Sequence, residues 1–139
     1  MRQAQKRLAV KTAGRGLYEI TEEARIFLRA SGLALGQLTL FCRHTSASLL
    51  IQENADPSVL DDLLAFFDGI APEGRGLYAH DSEGPDDMPA HLRAALTQPS
   101  LVIPFAASEL VLGMWQGIYL FEHRRAAHRR EIVLHAIGE

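Results

Sequence analysis

The sequence predicts an α+β fold: a single domain, residues 1–139, of mostly antiparallel strands with two or three helices. Three observations carry that expectation. A chain of 139 residues has the length of one domain and can bury a core without disulfide or metal staples. Short runs of strand-forming residues follow one another between Gly, Pro, Ser and Asn turn signals, without the regular strand–helix alternation of a parallel sheet. Two stretches combine helix-start chemistry with apolar residues at helical spacing.

Taken in order, Lys6–Thr12 alternates weakly through Leu8 and Val10 and reads as a strand that ends at Gly14-Arg15-Gly16. Leu17–Ile20 continues extended. Thr21 then stands where an N-cap belongs, Glu22 and Glu23 suit the positive end of a helix, and Gly32 supplies its stop. Ile26 and Phe27 are expected on the buried side of that helix. Gln37–His44 is the next strand; His44-Thr45-Ser46-Ala47-Ser48 interrupts its apolar run and Leu49–Ile51 resumes it. If the strand stays regular, Cys42, His44, Ser46 and Ser48 share one face. The alternative is a Ser/Thr-rich turn between two hairpin strands.

Asp56 followed by Pro57 is an acidic cap with proline at the first helical position, and Val59, Leu60, Leu63, Leu64, Phe66 and Phe67 keep the helical period as far as Gly69. Residues 71–78 form a loop. A short helix over about Pro89–Thr97 puts Met88, His91, Leu92 and Ala95 on one side. Leu101–Pro104 and Glu109–Leu112 are short extended pieces around an Ala-Ala-Ser turn. Gly113–His123 is the longest strand candidate, apolar on both faces and therefore central and covered on both sides. Glu131–Ile137 is expected as its neighbour.

The least ordinary stretch is His80–His91. It holds four carboxylates (Asp81, Glu83, Asp86, Asp87), a histidine at each end, two prolines and a glycine in twelve residues. Buried acids are costly unless paired or metal-bound. Pro85 and Pro89 restrict the path of the chain, while Gly84 opens angles closed to other residues. The reading is a rigid, acid-lined loop that delivers His91 to a site on the first turn of a helix. A solvated acidic loop with an ordinary helix cap is the bland alternative.

Composition narrows the function classes. The net charge is −3 and there is one cysteine, Cys42, so no internal disulfide forms. The N-terminus lacks a signal-peptide apolar run, and no stretch reaches the roughly 20 apolar residues of a membrane span. A cytoplasmic protein without membrane partners is expected. Residues 123–130 carry four arginines, Arg124, Arg125, Arg129 and Arg130, which can steer an anion or form ion pairs between subunits. Net negative charge without an aromatic stacking stripe argues against nucleic acid.

Three polar clusters stand at the ends of apolar elements: His44 with Thr45, Ser46 and Ser48; the acids of 81–87 with His91; and Gln116, Glu122, His123 and Arg124. Six histidines in the chain allow a zinc site of three imidazoles, with His44, His91 and His123 as ligands brought together from distant segments. A hard ion such as Mg²⁺ would instead take oxygens from Asp81, Glu83, Asp86 or Asp87 together with ligand phosphates. A serine nucleophile at Ser46 or Ser48 lacks the G-x-S-x-G elbow. Cys42, inside a strand, reads as packing.

The blocks His44-Thr-Ser-Ala-Ser-Leu49, Gln52-Glu-Asn-Ala-Asp56, Glu83-Gly-Pro-Asp-Asp-Met-Pro-Ala-His91 and Leu112-Gly-Met-Trp-Gln-Gly-Ile118, with Glu122-His-Arg124, resemble the YjbQ family (UPF0047, also described as secondary thiamine-phosphate synthase). The resemblance runs from about Gln5 to Glu139. It implies a β-sandwich-like α+β domain, a homotrimer, and a cleft that condenses an aminopyrimidine pyrophosphate with a thiazole phosphate. By that resemblance His44, Asp87, His91, His123 and Arg124 are the catalytic candidates. Gln116 and Glu122 stand with them as ligand-binding candidates, and Ser46 and Ser48 lie in the same signature. Family members often have cysteine before the Glu-His-Arg, where Phe121 stands here, so no thiol mechanism is expected at that point. The same groups would serve metal-assisted hydrolysis of a small phosphorylated substrate, or recognition of an anion without turnover.

Overall fold

A computed structural model describes residues 1–139 and contains eight strands and three helices. Strand β1 spans Arg2–Lys11 and β2 Gly16–Glu19; helix α1 spans Thr21–Ser31; β3 spans Leu35–Cys42 and β4 Ala47–Glu53. Helix α2 covers Pro57–Ile70 and α3 Asp87–Leu96; β5 is Ser100–Ala106, β6 Glu109–Leu110, β7 Gln116–Glu122 and β8 Arg129–Gly138. Every strand pair is antiparallel, in a five-stranded sheet of order β1-β8-β3-β5-β6 and a three-stranded sheet of order β2-β7-β4.

The apolar alternation of β3, β5 and β8 turns Leu38, Leu40, Leu101, Ile103, Ile132 and Leu134 toward one core, where they meet Leu49, Ile118 and Leu120 of the smaller sheet and Phe27 and Leu28 of α1. This is the two-layer arrangement expected when each sheet has one apolar face to bury. Gly36 and Gly138 pair where β3 crosses β8, and a Cβ on Gly36 would lie 2.1 Å from the carbonyl oxygen of Ile137. Only hydrogen fits there.

Helices α2 and α3 cover the other side of the smaller sheet, where Phe67 meets Phe121 edge-on at 5.3 Å. Asp56 caps α2 by accepting from Ser58 N–H at 2.9 Å, with Pro57 in the first turn. Residues 117–122 of β7 are all buried, as its two apolar faces require. Ile118, Leu120 and Glu122 face the inter-sheet core, whereas Tyr119, Phe121 and His123 alternate to the other side.

Several expectations are corrected. β8 does not pair with β7 but lies between β1 and β3 in the other sheet; its alternating apolar residues match the inner face of the larger sheet. The two longest strands are β1 and β8, ten residues each, and Trp115 lies outside β7 and is exposed. Thr21 is the first helical residue rather than the cap, and its hydroxyl accepts from Ile118 N–H at 2.8 Å, tying α1 to β7. Ile26 is exposed; Ala24, Phe27 and Leu28 form the buried face. Residues 43–46 carry the chain from one sheet to the other, so Cys42, His44, Ser46 and Ser48 share no strand face and the two flanking strands are no hairpin. The buried side of α3 is Pro89, Ala90 and Arg93, with His91 half-buried at its margin.

Candidate metal centre

Helix α3 begins at Asp87 because the preceding turn closes through Gly84, whose φ of 101° suits a residue without Cβ. Asp87 N–H donates to the Gly84 carbonyl at 3.3 Å, and Pro89 sits in the first turn where it costs no helical hydrogen bond. This geometry buries Asp87, which is 4% exposed, under the two histidines that bound the stretch.

The Asp87 carboxylate is shared. Its Oδ2 lies 2.7 Å from His80 Nε2 and 3.2 Å from His91 Nε2, while its Oδ1 accepts from Arg124 Nη1 at 2.6 Å. His80 Nε2 also lies 2.8 Å from Glu83 Oε2. Ligand atoms of His80, Asp87 and His91 all fall within 4.8 Å of one another. Burial by itself pushes the Asp87 carboxyl up, but the His80 hydrogen bond and the charges of His91 and Arg124 outweigh it and hold it below the usual aspartate value. The same bond to Asp87 raises the His80 imidazole above its ordinary value.

The orientation of His91 suits a ligand set as well as an ion pair. Its Nδ1 lies 3.1 Å from the Thr45 carbonyl oxygen, which can only accept, so Nδ1 carries a proton. A neutral ring then presents a lone pair at Nε2 to a carboxylate oxygen 3.2 Å away. Two acceptors face each other stably only with a proton or a cation between them. A histidine anchored through one nitrogen on a backbone carbonyl, with the other aimed at a carboxylate, is the arrangement found around bound divalent metals. Two imidazoles and one carboxylate match zinc sites that keep a fourth position open.

Arg124 locks the opposite wall. Its Nε donates to Asp86 Oδ2 at 3.0 Å and its Nη2 to the Glu83 carbonyl at 3.0 Å, and Arg125 N–H donates to Asp86 Oδ2 at 2.9 Å. Burial raises the Asp86 carboxyl, and these donors more than compensate, leaving it below its usual value. The cluster sits between two clefts: one of about 600 Å³ lined by His80, Asp81, Tyr78 and Arg75, and one of about 410 Å³ lined by His44, Ser48, His91 and Thr97.

The remaining sequence candidates lie outside this cluster, although His44 and Ser48 share the smaller cleft with His91. His123 is fully buried; its Nε2 lies 2.8 Å from Ser48 Oγ and its Nδ1 has no partner. Burial, with the charge of Arg93, pushes its pKa down to about 3, so it stays neutral. His44 accepts from Glu131 N–H through Nε2 at 2.8 Å. The three-imidazole set of His44, His91 and His123 is therefore not assembled in this chain. Glu122 is also fully buried, accepting from Arg130 Nε at 2.8 Å and Thr12 Oγ1 at 2.7 Å. It ties β7 to β8 inside the core and lines neither of the two clefts. Ser46 Oγ accepts from Arg130 Nη2 at 3.0 Å, and Ser48 accepts from Thr97 Oγ1 at 2.5 Å. Gln116 lies at the opposite end of β7, roughly 20 Å from Glu122 at the usual rise per residue. Asp86 and Asp87 both face the Arg124 guanidinium, so a Mg²⁺ ion bound between them would meet a cation already in place.

Sequence reasoning missed His80, Arg93 and Arg130. His80 was legible as the first histidine of the acid-lined stretch. Arg93 is 1% exposed and Arg130 4% exposed, and nothing in their neighbourhoods of sequence marks an arginine as buried.

The comparisons with known proteins agree with this fold. A family model described as UPF0047 protein YjbQ-like matches residues 6–139. The UPF0047 protein sll1880 of Synechocystis is 49% identical over 138 residues, covering 99% of this chain and 94% of that protein. The UPF0047 protein YjbQ of Escherichia coli O157:H7 is 40% identical over 136 residues, covering 97% and 98%. The crystal structure of an uncharacterised conserved protein of the YjbQ/UPF0047 family from Clostridium acetobutylicum superposes with a TM-score of 0.88 at 34% identity, covering 95% of this chain and 99% of that one.

Proposed function

The chain belongs to the UPF0047, YjbQ-like family, and on that premise we propose that it is a metal-dependent hydrolase of small phosphorylated or otherwise anionic substrates. The observation that carries the proposal is the shared Asp87 carboxylate, with His80 Nε2 and His91 Nε2 at 2.7 and 3.2 Å. His80, Asp87 and His91 would hold the ion. A divalent ion of the zinc type bound there supplies Lewis acidity and lowers the pKa of its water toward neutrality.

The protein's own groups have separate tasks. His91 is oriented by the Thr45 carbonyl, and Asp87 by Arg124. Arg124 has all three guanidinium nitrogens engaged with Asp86, Asp87 and Glu83, so it positions the carboxylate rather than clamping a substrate. Arg75 lines the larger cleft and makes no hydrogen bond or ion pair with the protein. It is the cation there that an anionic substrate can use. Asp81 lines the same cleft and disfavours a second negative charge, which suits one anionic group per ligand.

The thiamine-phosphate synthase reading uses the same wall with Mg²⁺ on pyrophosphate. The mixed nitrogen and oxygen donor set favours zinc-type chemistry over it, because Mg²⁺ prefers oxygen ligands and bound water. Assembly as a homotrimer is a further proposal. Its support is the half-covered face of α2, where Phe66 and Ile70 are 59% and 46% exposed; light scattering giving three chains per particle tests it.

The functional test is phosphate release from p-nitrophenyl phosphate by metal-stripped protein with and without added Zn²⁺ or Mn²⁺. Hydrolysis predicts release that needs the ion and vanishes in His91→Ala. Pyrophosphate release only when aminopyrimidine pyrophosphate and thiazole phosphate are both present supports the synthase. Metal binding without either product supports a binding role.

A further inference from the structure

His44 is a candidate metal ligand by sequence, and the fold gives it another chemistry. Glu131 N–H donates to His44 Nε2 at 2.8 Å, so Nε2 must present its lone pair. Burial, with the charge of Arg130, lowers the ring's pKa, which keeps it neutral near pH 7. The single proton therefore resides on Nδ1. No protein acceptor reaches Nδ1, and it is absent from the buried unpaired atoms of the chain, which are Nε and Nη1 of Arg93 and Nδ1 of His123. His44 thus offers a fixed donor that is open to solvent.

His44 lines a cleft of about 410 Å³, whose walls include Ala47, Ala94, Ala95 and Pro99. The cleft is mostly apolar. Its other histidine is His91, whose Nδ1 is anchored on the Thr45 carbonyl and whose Nε2 lies 3.2 Å from Asp87 Oδ2. Ser48 and Thr97 also line the cleft and bond each other at 2.5 Å, and a mostly apolar pocket with a few polar groups is the composition of a site that orients an organic ligand.

The geometry points to this cleft as a subsite for a small, largely apolar ring or chain that bears one hydrogen-bond acceptor, with His44 Nδ1–H as the residue that selects for the acceptor. That such a ligand reaches over His91 to the metal rests on the function proposed above; the subsite itself does not. Arg75 and His44 then mark the two ends of one substrate, an anionic group in the larger cleft and an acceptor-bearing organic group in the smaller. A ligand that covers this donor without accepting from it displaces the water that satisfied it, so the selection is against hydrocarbon isosteres.

The test uses the metal-free protein at pH 8 with pyridine and benzene as probes, matched in shape and differing in one acceptor. Histidine side-chain NMR on the ¹⁵N-labelled protein follows Nδ1–H of His44 during the titration. The expected result is a saturable shift of that signal and pyridine binding about fivefold tighter than benzene, the worth of one neutral hydrogen bond. His44→Phe removes the preference, and Ala94→Leu, which fills the cleft and leaves His44 in place, removes both probes. An unmoved His44 signal, or equal binding of the two probes to the wild-type protein, overturns the inference. A Zn²⁺ titration of the same preparation reports on the metal reading separately, so either can fail alone.

Discussion

His123 makes the folded protein sensitive to mild acid, and the size of the effect follows from its burial. The ring is fully buried beside Arg93, and burial, reinforced by that charge, pushes its pKa from 6.5 down to about 3. Below pH 6.5 the unfolded chain binds a proton that the folded chain refuses. The stability contributed by a neutral His123 is therefore complete above the unfolded value and is lost as pH falls toward 3. The slope approaches about 1.4 kcal/mol per pH unit, so this one group costs about 2 kcal/mol between pH 6.0 and 4.5. For a domain of this size that is a fall of roughly 7 °C in Tm. The assay is urea or thermal unfolding at both pH values for the wild type and His123→Gln, which cannot titrate. Carboxylates such as Glu122 and Asp87, held low in the fold, lose their contribution only as pH falls further, and they cancel in the comparison. The pH-dependent loss should shrink by about 2 kcal/mol in the variant. The same loss in both proteins would refute the reasoning.

Three further outcomes follow. Glu122→Gln leaves Arg130, 4% exposed, buried without its counter-charge, and should cost about 3–5 kcal/mol in denaturant unfolding. Gly36→Ala places a Cβ 2.1 Å from a backbone oxygen of β8, and should cost about 3 kcal/mol or more by the same measurement. Arg75→Ala should weaken p-nitrophenyl phosphate binding, raising KM about tenfold with kcat little changed, while Tm stays within about 1 °C because the side chain has no protein partner.

The fold is largely legible in the sequence because its signals are local. Asp56-Pro57 states a helix start outright, and the two-sided apolar pattern of β7 requires cover on both faces. Sheet membership is harder to read. β8 follows β7 through a short arginine-rich turn, which suggests a hairpin. Its inner face is completed instead by β1 and β3, through pairs as distant in sequence as Leu8 with Ile132 and Leu40 with Leu134, which leave no local mark. The site divides in the same way. Asp87, His91 and Arg124 are visible, since an acid-rich loop stiffened by prolines and bounded by histidines is too polar for a core and too constrained for plain solvent. Glu122 and His123 read as cleft residues because they stand beside Arg124 in sequence; strand alternation instead sends one into the inter-sheet core and the other under the helices. Arg130 looks like a surface charge within the arginine run, but β8 turns it inward to meet Glu122. His80 lacks the helical context that marks His91, and only the fold of the loop brings its ring back over Asp87.

The central claim is that His80, Asp87 and His91 form one divalent-metal site, and it is tested most directly by titrating the metal-stripped protein with Co²⁺ or Zn²⁺. The expected result is one ion per chain, a visible cobalt spectrum with nitrogen and oxygen ligation, and loss of that ion in His80→Ala and in His91→Ala while both variants stay folded. A wild-type protein that takes up no ion, or a His80→Ala, His91→Ala double variant that binds as tightly as the wild type, would contradict it.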